Sequence, residues 1–332
     1  SVTDYAHTLY IRASWTDFNP QEDVYGWKID SNLRAYIEGA YQRNMRLAFR
    51  VVVDSRDKRT EFTPQFVKDA GAKGFMNKGK WSPYSDDPVF QKYYTKFVKA
   101  LAKDFNDPSK VEFIDGFGLG KWGEYHTMIY STGDDTPKKA VFDWVTDIYS
   151  QAFDKVPVVI NYHRWIGAGK DWVDDEHFAA DSEEMLEEAI KKGYSLRHDA
   201  FGMTTYYGSW ERRFAKKYRN ICPIIMEGGW IVKSHSYWQD PRGYRKDSHE
   251  DVRRGEFDDS KEAHVNMMDF RFGDTESWFK DAFDLVRRFL REGGYRLYPS
   301  EISLPLEVSK KTTPTIKHCW NNLGWGYCPT NI

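Results

Sequence analysis

The chain has 332 residues, enough for one barrel of roughly 250 residues with extensions. Its 48 Lys and Arg are nearly balanced by 50 Asp and Glu, so no excess of one sign points to nucleic acid or a membrane surface as partner. No apolar run reaches the roughly 18 residues that a membrane-spanning helix needs.

Short apolar runs alternate with amphipathic stretches along the chain. The first run, Thr8 to Ser14, is followed by a helical pattern from Ser31 to Arg43, with Asp30 as the expected N-cap and Leu33, Tyr36, Ile37 and Ala40 on one face. Arg46 to Val53 is the second run. A long helix is predicted from Asp87 to Phe105, opened by Pro88 and carrying Phe90, Tyr93, Tyr94, Phe97, Val98 and Leu101 at helical spacing. Val111 to Gly118 forms the third run and Val156 to Tyr162 the fourth, with a helix over Lys138 to Phe153 between them. A helix from Ser182 to Lys192 precedes the fifth run, Ala200 to Tyr206. The sixth run is Ile221 to Glu227 and the seventh His264 to Phe270, with a last helix from Trp278 to Arg291. Uninterrupted short runs read as strands buried on both faces. Strands alternating with helices predict parallel βα units, and this many units predict an α/β fold, a (β/α)8 TIM barrel.

Only seven strands are counted, and the first lies so near Ser1 that the usual first strand is expected to be missing or atypical. From Tyr295 the pattern changes to two β segments, Tyr295 to Val308 and Thr312 to Trp320, expected to begin a C-terminal β-sandwich. The expected division is therefore a barrel over 1–294 and a β-rich extension over 295–332. The basic cluster Arg212, Arg213, Lys216 and Lys217 is expected on a solvated helix face.

Barrel active sites sit at the C-terminal ends of the strands. Two glutamates occupy such ends, each in a Gly- and Trp-rich setting: Glu124 in Gly118-Leu119-Gly120-Lys121-Trp122-Gly123-Glu124-Tyr125-His126, and Glu227 in Met226-Glu227-Gly228-Gly229-Trp230. Glycoside hydrolysis needs one carboxylic acid to protonate the leaving oxygen and a second carboxylate to attack the anomeric carbon or activate water. Glu124 is therefore expected as acid/base and Glu227 as nucleophile, three strands apart around the ring. Each could instead cap a helix or pair with an arginine. Arg12, Arg50 and Arg164 could hold a carboxylate ionised. Asn161, His126 and His163 could bind hydroxyls. A metal site built from His126, His163, His198 and Asp199 is a further alternative, without the tight HExxH spacing that would support it. No Walker, Rossmann or Gly-x-Ser-x-Gly motif is present, and no cofactor is expected.

Aromatic residues make up 17% of the chain, with 13 Trp and 21 Tyr, and many fall at predicted strand ends. Trp15, Trp122, Tyr206, Tyr207 and Trp230 are expected to line a sugar-binding cleft, because aromatic faces stack on the C–H faces of sugar rings; ordinary packing is the competing reading. Three cysteines, Cys222, Cys319 and Cys328, make no disulfide framework. Cys222 reads as a small core residue, and Cys319 and Cys328 could pair.

At these residues the chain resembles the clan of retaining glycosidases that carry glutamates on barrel strands four and seven, including the β-galactosidase-like families. Arg12-Ala13-Ser14-Trp15-Thr16-Asp17-Phe18-Asn19-Pro20 with Gly26-Trp27 is similar to that clan's second strand and loop. Gly120-Lys121-Trp122-Gly123-Glu124-Tyr125-His126 resembles a Gly-x-Trp-Gly-Glu-aromatic-His motif of poorly characterised bacterial barrels. The resemblance implies a retaining glycosidase with a carbohydrate substrate, followed by a β-sandwich, in a bacterial secreted, periplasmic or cell-surface protein. The better-known members have Asn-Glu where this chain has Gly123-Glu124, so the sugar contact made by that Asn must come from elsewhere or be absent. A carbohydrate-binding barrel without catalysis is the main alternative, and a metal-dependent hydrolase a further one.

Overall fold

A computed structural model of the chain describes residues 2–56, 60–169, 179–202, 206–228, 249–270, 277–311 and 313–329. The chain forms two compact units, Ser1–Arg197 and His198–Ile332.

In the first unit the strands are β1 (Thr8–Ser14), β2 (Arg46–Val52), β3 (Gly74–Asn77), β4 (Lys80–Pro83), β5 (Val111–Asp115) and β6 (Val158–Asn161), and β7 (Ser195–Phe201) continues into the second unit. The helices are α1 (Trp15–Phe18), α2 (Asn32–Tyr41), α3 (Gln65–Asp69), α4 (Pro88–Phe105), α5 (Lys138–Ala152) and α6 (Ser182–Lys191). β1 pairs with β2, β2 with β5, β5 with β6 and β6 with β7, all parallel. β3 and β4 form a separate antiparallel hairpin. With β8 (Ile224–Gly228) beside β7, the main sheet runs β1-β2-β5-β6-β7-β8. Strand order thus follows chain order without reversal, as in a (β/α)8-type barrel and unlike a doubly wound sheet.

The helices form where their sequences dictate. Asp87 accepts the Phe90 N–H at 2.8 Å and Pro88 occupies the first turn of α4, so one orphan donor at the helix start is met and another is absent. Its buried face carries Phe90, Tyr94, Phe97, Val98, Leu101 and Phe105; Phe90, Tyr94 and Phe97 pack around Trp15, whose ring lies 5.1 Å from Tyr94 and 5.7 Å from Phe97. Burying one such side chain stabilises by roughly 1.5–3 kcal/mol. α2 is capped by Ser31, which accepts the Arg34 N–H at 3.1 Å; the expected cap, Asp30, lies one residue too early.

Strand register decides which side chains share a face. Parallel partners point the same way, and so do residues two apart on one strand. Arg12 pairs with Arg50, Arg50 with Asp115, Asp115 with Val159, and Asn161 with Arg197. Tyr10, Arg12, Arg50, Asp115, Asn161 and Arg197 therefore lie on one face of the sheet.

The second unit contains the end of β7, then α7 (Ser209–Tyr218), β8, α8 (His249–Glu262), a π-helical turn at Ser277–Asp281, α9 (Phe283–Glu292), β9 (Leu297–Ser303) and β10 (Lys317–Asn322). Beside β8 the seventh predicted run contributes one parallel bridge, Ile225 to Met267, flanked by Asn266 N–H to Ile224 O at 2.7 Å and Met226 N–H to Met267 O at 3.0 Å. β9 and β10 pair antiparallel with a bulge between Cys319 and Trp320, and nearly all their residues are exposed. Beyond β10, Trp325 turns back, donating its indole N–H to Val265 O and stacking edge-on against Phe257 and Phe289. No disulfide joins Cys319 to Cys328.

The fifth strand corrects the sequence reading. It spans Ser195–Phe201, not 200–206, because Arg197 and His198 are buried within it. β3, β4 and α8 were not anticipated as elements; α7 carries Arg213, Lys216 and Lys217 on an exposed helix face as expected, whereas Arg212 is half-buried and pairs with Asp259.

Candidate active site

After β5 the backbone enters a loop of unusual conformation. Of the ten residues 118–127, six have positive φ: Gly118 (69°), Gly120 (74°), Trp122 (58°), Gly123 (76°), Tyr125 (61°) and Thr127 (50°). The left-handed region is unfavourable for residues with a Cβ, and strain of this kind gathers at functional sites. Main-chain bonds hold the loop: Tyr125 N–H to Leu119 O at 2.9 Å, Lys121 N–H to His126 O at 3.0 Å, and Gly167 N–H to Tyr125 O at 2.8 Å. Gly123, at a φ of 76°, suits the left-handed conformation. A Cβ at this position would lie 3.3 Å from Val52 Cγ2 and 3.4 Å from Arg50 Cδ.

Glu124, 1% exposed, sits at the centre of this loop. Its Oε1 accepts a hydrogen bond from Arg50 Nη1 at 3.1 Å and lies 3.5 Å from Arg12 Nη1. Its Oε2 has no hydrogen-bond partner among the described residues and lies 3.5 Å from His126 Nε2. The two oxygens are therefore different. Arginine can only donate, so Oε1 is committed, and a proton on Glu124 has its place on Oε2. Arg50 is fixed in turn by Asp115, whose Oδ2 accepts from Arg50 Nε at 2.9 Å and from the Tyr10 hydroxyl at 2.5 Å, with Arg197 Nε 3.4 Å away. Arg197 lies over the Tyr10 ring, 4.2 Å from its centroid. This chain of buried, mutually paired charges aims Arg50 at Glu124.

The tail of β6 closes the site in the first unit. His163 Nε2 lies 2.7 Å from the Glu124 carbonyl oxygen, and His163 Nδ1 accepts the Trp165 N–H at 3.1 Å. Burial, with His126 and Arg164 nearby, pushes the His163 pKa down to about 3. Asn161 is wholly buried, and among the described residues neither its amide oxygen nor its amide nitrogen has a hydrogen-bond partner. Trp122, half-buried, packs edge-on against His126 with ring centroids 5.7 Å apart.

In the second unit Glu227 is 3% exposed near the end of β8. α8 packs against this strand end with a charged face. Glu256, wholly buried, accepts from Arg253 Nη1 at 2.5 Å, and Arg253 Nε donates to Ser277 Oγ at 2.8 Å. Two glycines allow the approach. A Cβ at Gly228 would lie 3.0 Å from Glu256 Oε1, and one at Gly202 would lie 2.7 Å from Glu256 Cγ.

Searches with family models find no match to this chain, and no curated protein matches it either. Among solved structures it is similar to the exo-β-1,4-mannosidase Op5Man5 from Opitutaceae bacterium strain TAV5, with a TM-score of 0.48 and 13% identity over 79% of this chain and 44% of that one. It is similar to endo-glycoceramidase II from Rhodococcus sp. with a TM-score of 0.46 and 13% identity, over 80% of this chain and 66% of that one. A third such structure is xylanase 10B from Thermotoga maritima, with a TM-score of 0.45 and 14% identity over 78% of this chain and 72% of that one. The chain spans less than half the length of the mannosidase.

The structure thus brings together Arg12, Arg50, Glu124, His126, His163 and Trp122 of the residues singled out in the sequence. Trp15 is 0% exposed, and its ring is taken up by Phe66, Phe90, Tyr94 and Phe97. In the second unit Tyr207 is buried, stacked on Phe201 at 4.4 Å and edge-on to His198 at 5.0 Å, while Tyr206 is half-buried. Trp230 lies outside the described residues. Among the described residues no group of three or more His, Cys, Asp or Glu side chains converges as a metal site, and no helix is long and apolar enough to cross a membrane. Sequence reasoning missed Tyr10, Asp115 and Arg197 in the first unit and Glu256 in the second. The signal for Asp115 was a carboxylate closing the apolar run Val111-Glu112-Phe113-Ile114-Asp115, directly before Gly116.

Proposed function

We propose that the chain is a glycoside hydrolase acting on an oligo- or polysaccharide with retention, with Glu124 as acid/base and Glu227 as nucleophile. The observation that carries the proposal is the asymmetric carboxyl group of Glu124. One oxygen is committed to arginines, and the other is left to exchange a proton. In the first step Glu124 Oε2 gives its proton to the leaving glycosidic oxygen while Glu227 attacks the anomeric carbon. In the second step Glu124 takes a proton from water, which displaces Glu227. Asn161, with a donor and an acceptor both open, suits a sugar hydroxyl; Trp122 and Tyr206 suit stacking, and Arg12 and Arg50 hold Glu124. The resemblance in the sequence supports a bacterial, exported protein.

Turnover of a panel of nitrophenyl glycosides and oligosaccharides by wild type, Glu124→Gln and Glu227→Gln tests this. Each variant is expected to lose roughly 10²–10⁴-fold in kcat, and the anomer first formed by wild type, read by NMR, is expected to match the substrate. Full activity in either variant sinks the assignment. Calorimetric binding of a glycan without turnover would favour the second reading, a carbohydrate-binding barrel, which the depth at which Glu124 is buried supports.

A further inference from the structure

Resting on Glu124 as the reactive carboxyl group, we propose that His163 is a positioning residue: a neutral imidazole that sets the Glu124 carboxylate by holding its main chain, and that makes no contact with substrate. Both ring nitrogens are already used. A carbonyl oxygen can only accept, so Nε2 carries the proton and donates it to Glu124 O at 2.7 Å. A main-chain N–H can only donate, so Nδ1 is bare and accepts from Trp165 at 3.1 Å. One tautomer satisfies both bonds, and the cation satisfies only one.

The bond falls where the loop most needs it. Glu124 lies between Gly123 and Tyr125, both at positive φ. Its own carbonyl is held by His163, and the next, that of Tyr125, accepts from Gly167 N–H at 2.8 Å. Two successive carbonyls of the strained loop are thereby fastened to the segment that follows β6, while Arg50 and Arg12 fasten the carboxylate at the other end of the side chain. The ring is wholly buried. It faces His126, 5.7 Å away between ring centroids, and the adjacent Arg164 and Trp165. Two neighbouring basic groups and the lack of water disfavour the imidazolium, consistent with the depressed pKa.

The test compares His163→Ala, His163→Gln and Glu124→Gln on whichever aryl glycoside of the panel wild type turns over. His163→Ala is expected to lose roughly a hundredfold in kcat, the scale of an ångström's misplacement, with KM little changed. His163→Gln, whose amide can donate to the same carbonyl, should recover part of the loss and keep both limbs of the wild-type pH profile. A folded His163→Ala with wild-type kcat overturns the proposal, and so does a rise in KM alone, which would make His163 a substrate contact. Full activity in Glu124→Gln would instead overturn the reading on which the proposal rests. Independently of turnover, ¹⁵N NMR of histidine-labelled wild-type protein should show one ring held as the Nε2–H tautomer from pH 5 to 8 and lost in His163→Gln. An imidazolium or an Nδ1–H form at that ring overturns the proposal.

Discussion

At the scale of single residues the site is governed by which polar atoms are already committed. Buried neutral His163 also gives the fold a pH dependence with a definite sign. Its folded pKa of about 3 lies below the ordinary 6.5, so the unfolded chain binds more protons between these values, and stability falls as pH drops through that window. At pH 4.5 the loss from this residue amounts to about 3 kcal/mol relative to pH 7. Urea unfolding of wild type and His163→Gln at pH 7 and 4.5 should show a smaller pH effect in the variant; equal effects would contradict it. Much of this neighbourhood was legible in the sequence. Glu124, His126, His163, Arg12 and Arg50 stood out as polar residues at the ends of apolar runs, where barrels keep their chemistry. Tyr10, Asp115 and Arg197 did not, because their importance lies in a cross-strand contact: Asp115 Oδ2 gathers all three partners only once register has been set.

At the scale of elements, legibility followed burial chemistry. α4 was readable because its buried face is apolar at helical spacing and its start is marked by Asp87 and Pro88. α8 was not, because its buried face includes Arg253, Glu256, Asp259 and Ser260. Those residues are satisfied by each other and by their surroundings, as in Asp259 accepting the Gly202 N–H at 2.9 Å, so no hydrophobic stripe announces the helix. β7 was misplaced for the same reason: Arg197 and His198 look like a loop and are buried strand. Gly202 makes the contact with α8 possible, at a φ of 75° and with the Glu256 backbone nitrogen 2.7 Å from where a Cβ would sit. Gly202→Ala should therefore lower stability by roughly 2–4 kcal/mol through overpacking and left-handed strain combined. Thermal unfolding reads this directly, and a shift below about 1 °C would show that α8 yields at little cost.

For the molecule as a whole, the order of parallel strands could be read from the alternation of runs and helices alone, because βα units leave few alternatives for connecting neighbours. The β9–β10 pair was foreseen as β structure, yet its exposure could not be, since a strand's own sequence does not say what lies above it. The left-handed loop around Glu124 has a further consequence, for heat. Trp122, Tyr125 and Thr127 each hold a backbone conformation disfavoured by roughly 1–2 kcal/mol, so this segment stores energy that its surroundings must keep in place. Warming loosens the surroundings before it unfolds the sheet, and the loop is then released first. Catalysis should fail at a temperature several degrees below the midpoint of global unfolding and return on cooling, a gap visible when activity and circular dichroism are followed on the same heating ramp; coincident midpoints would show that the loop and the sheet melt as one.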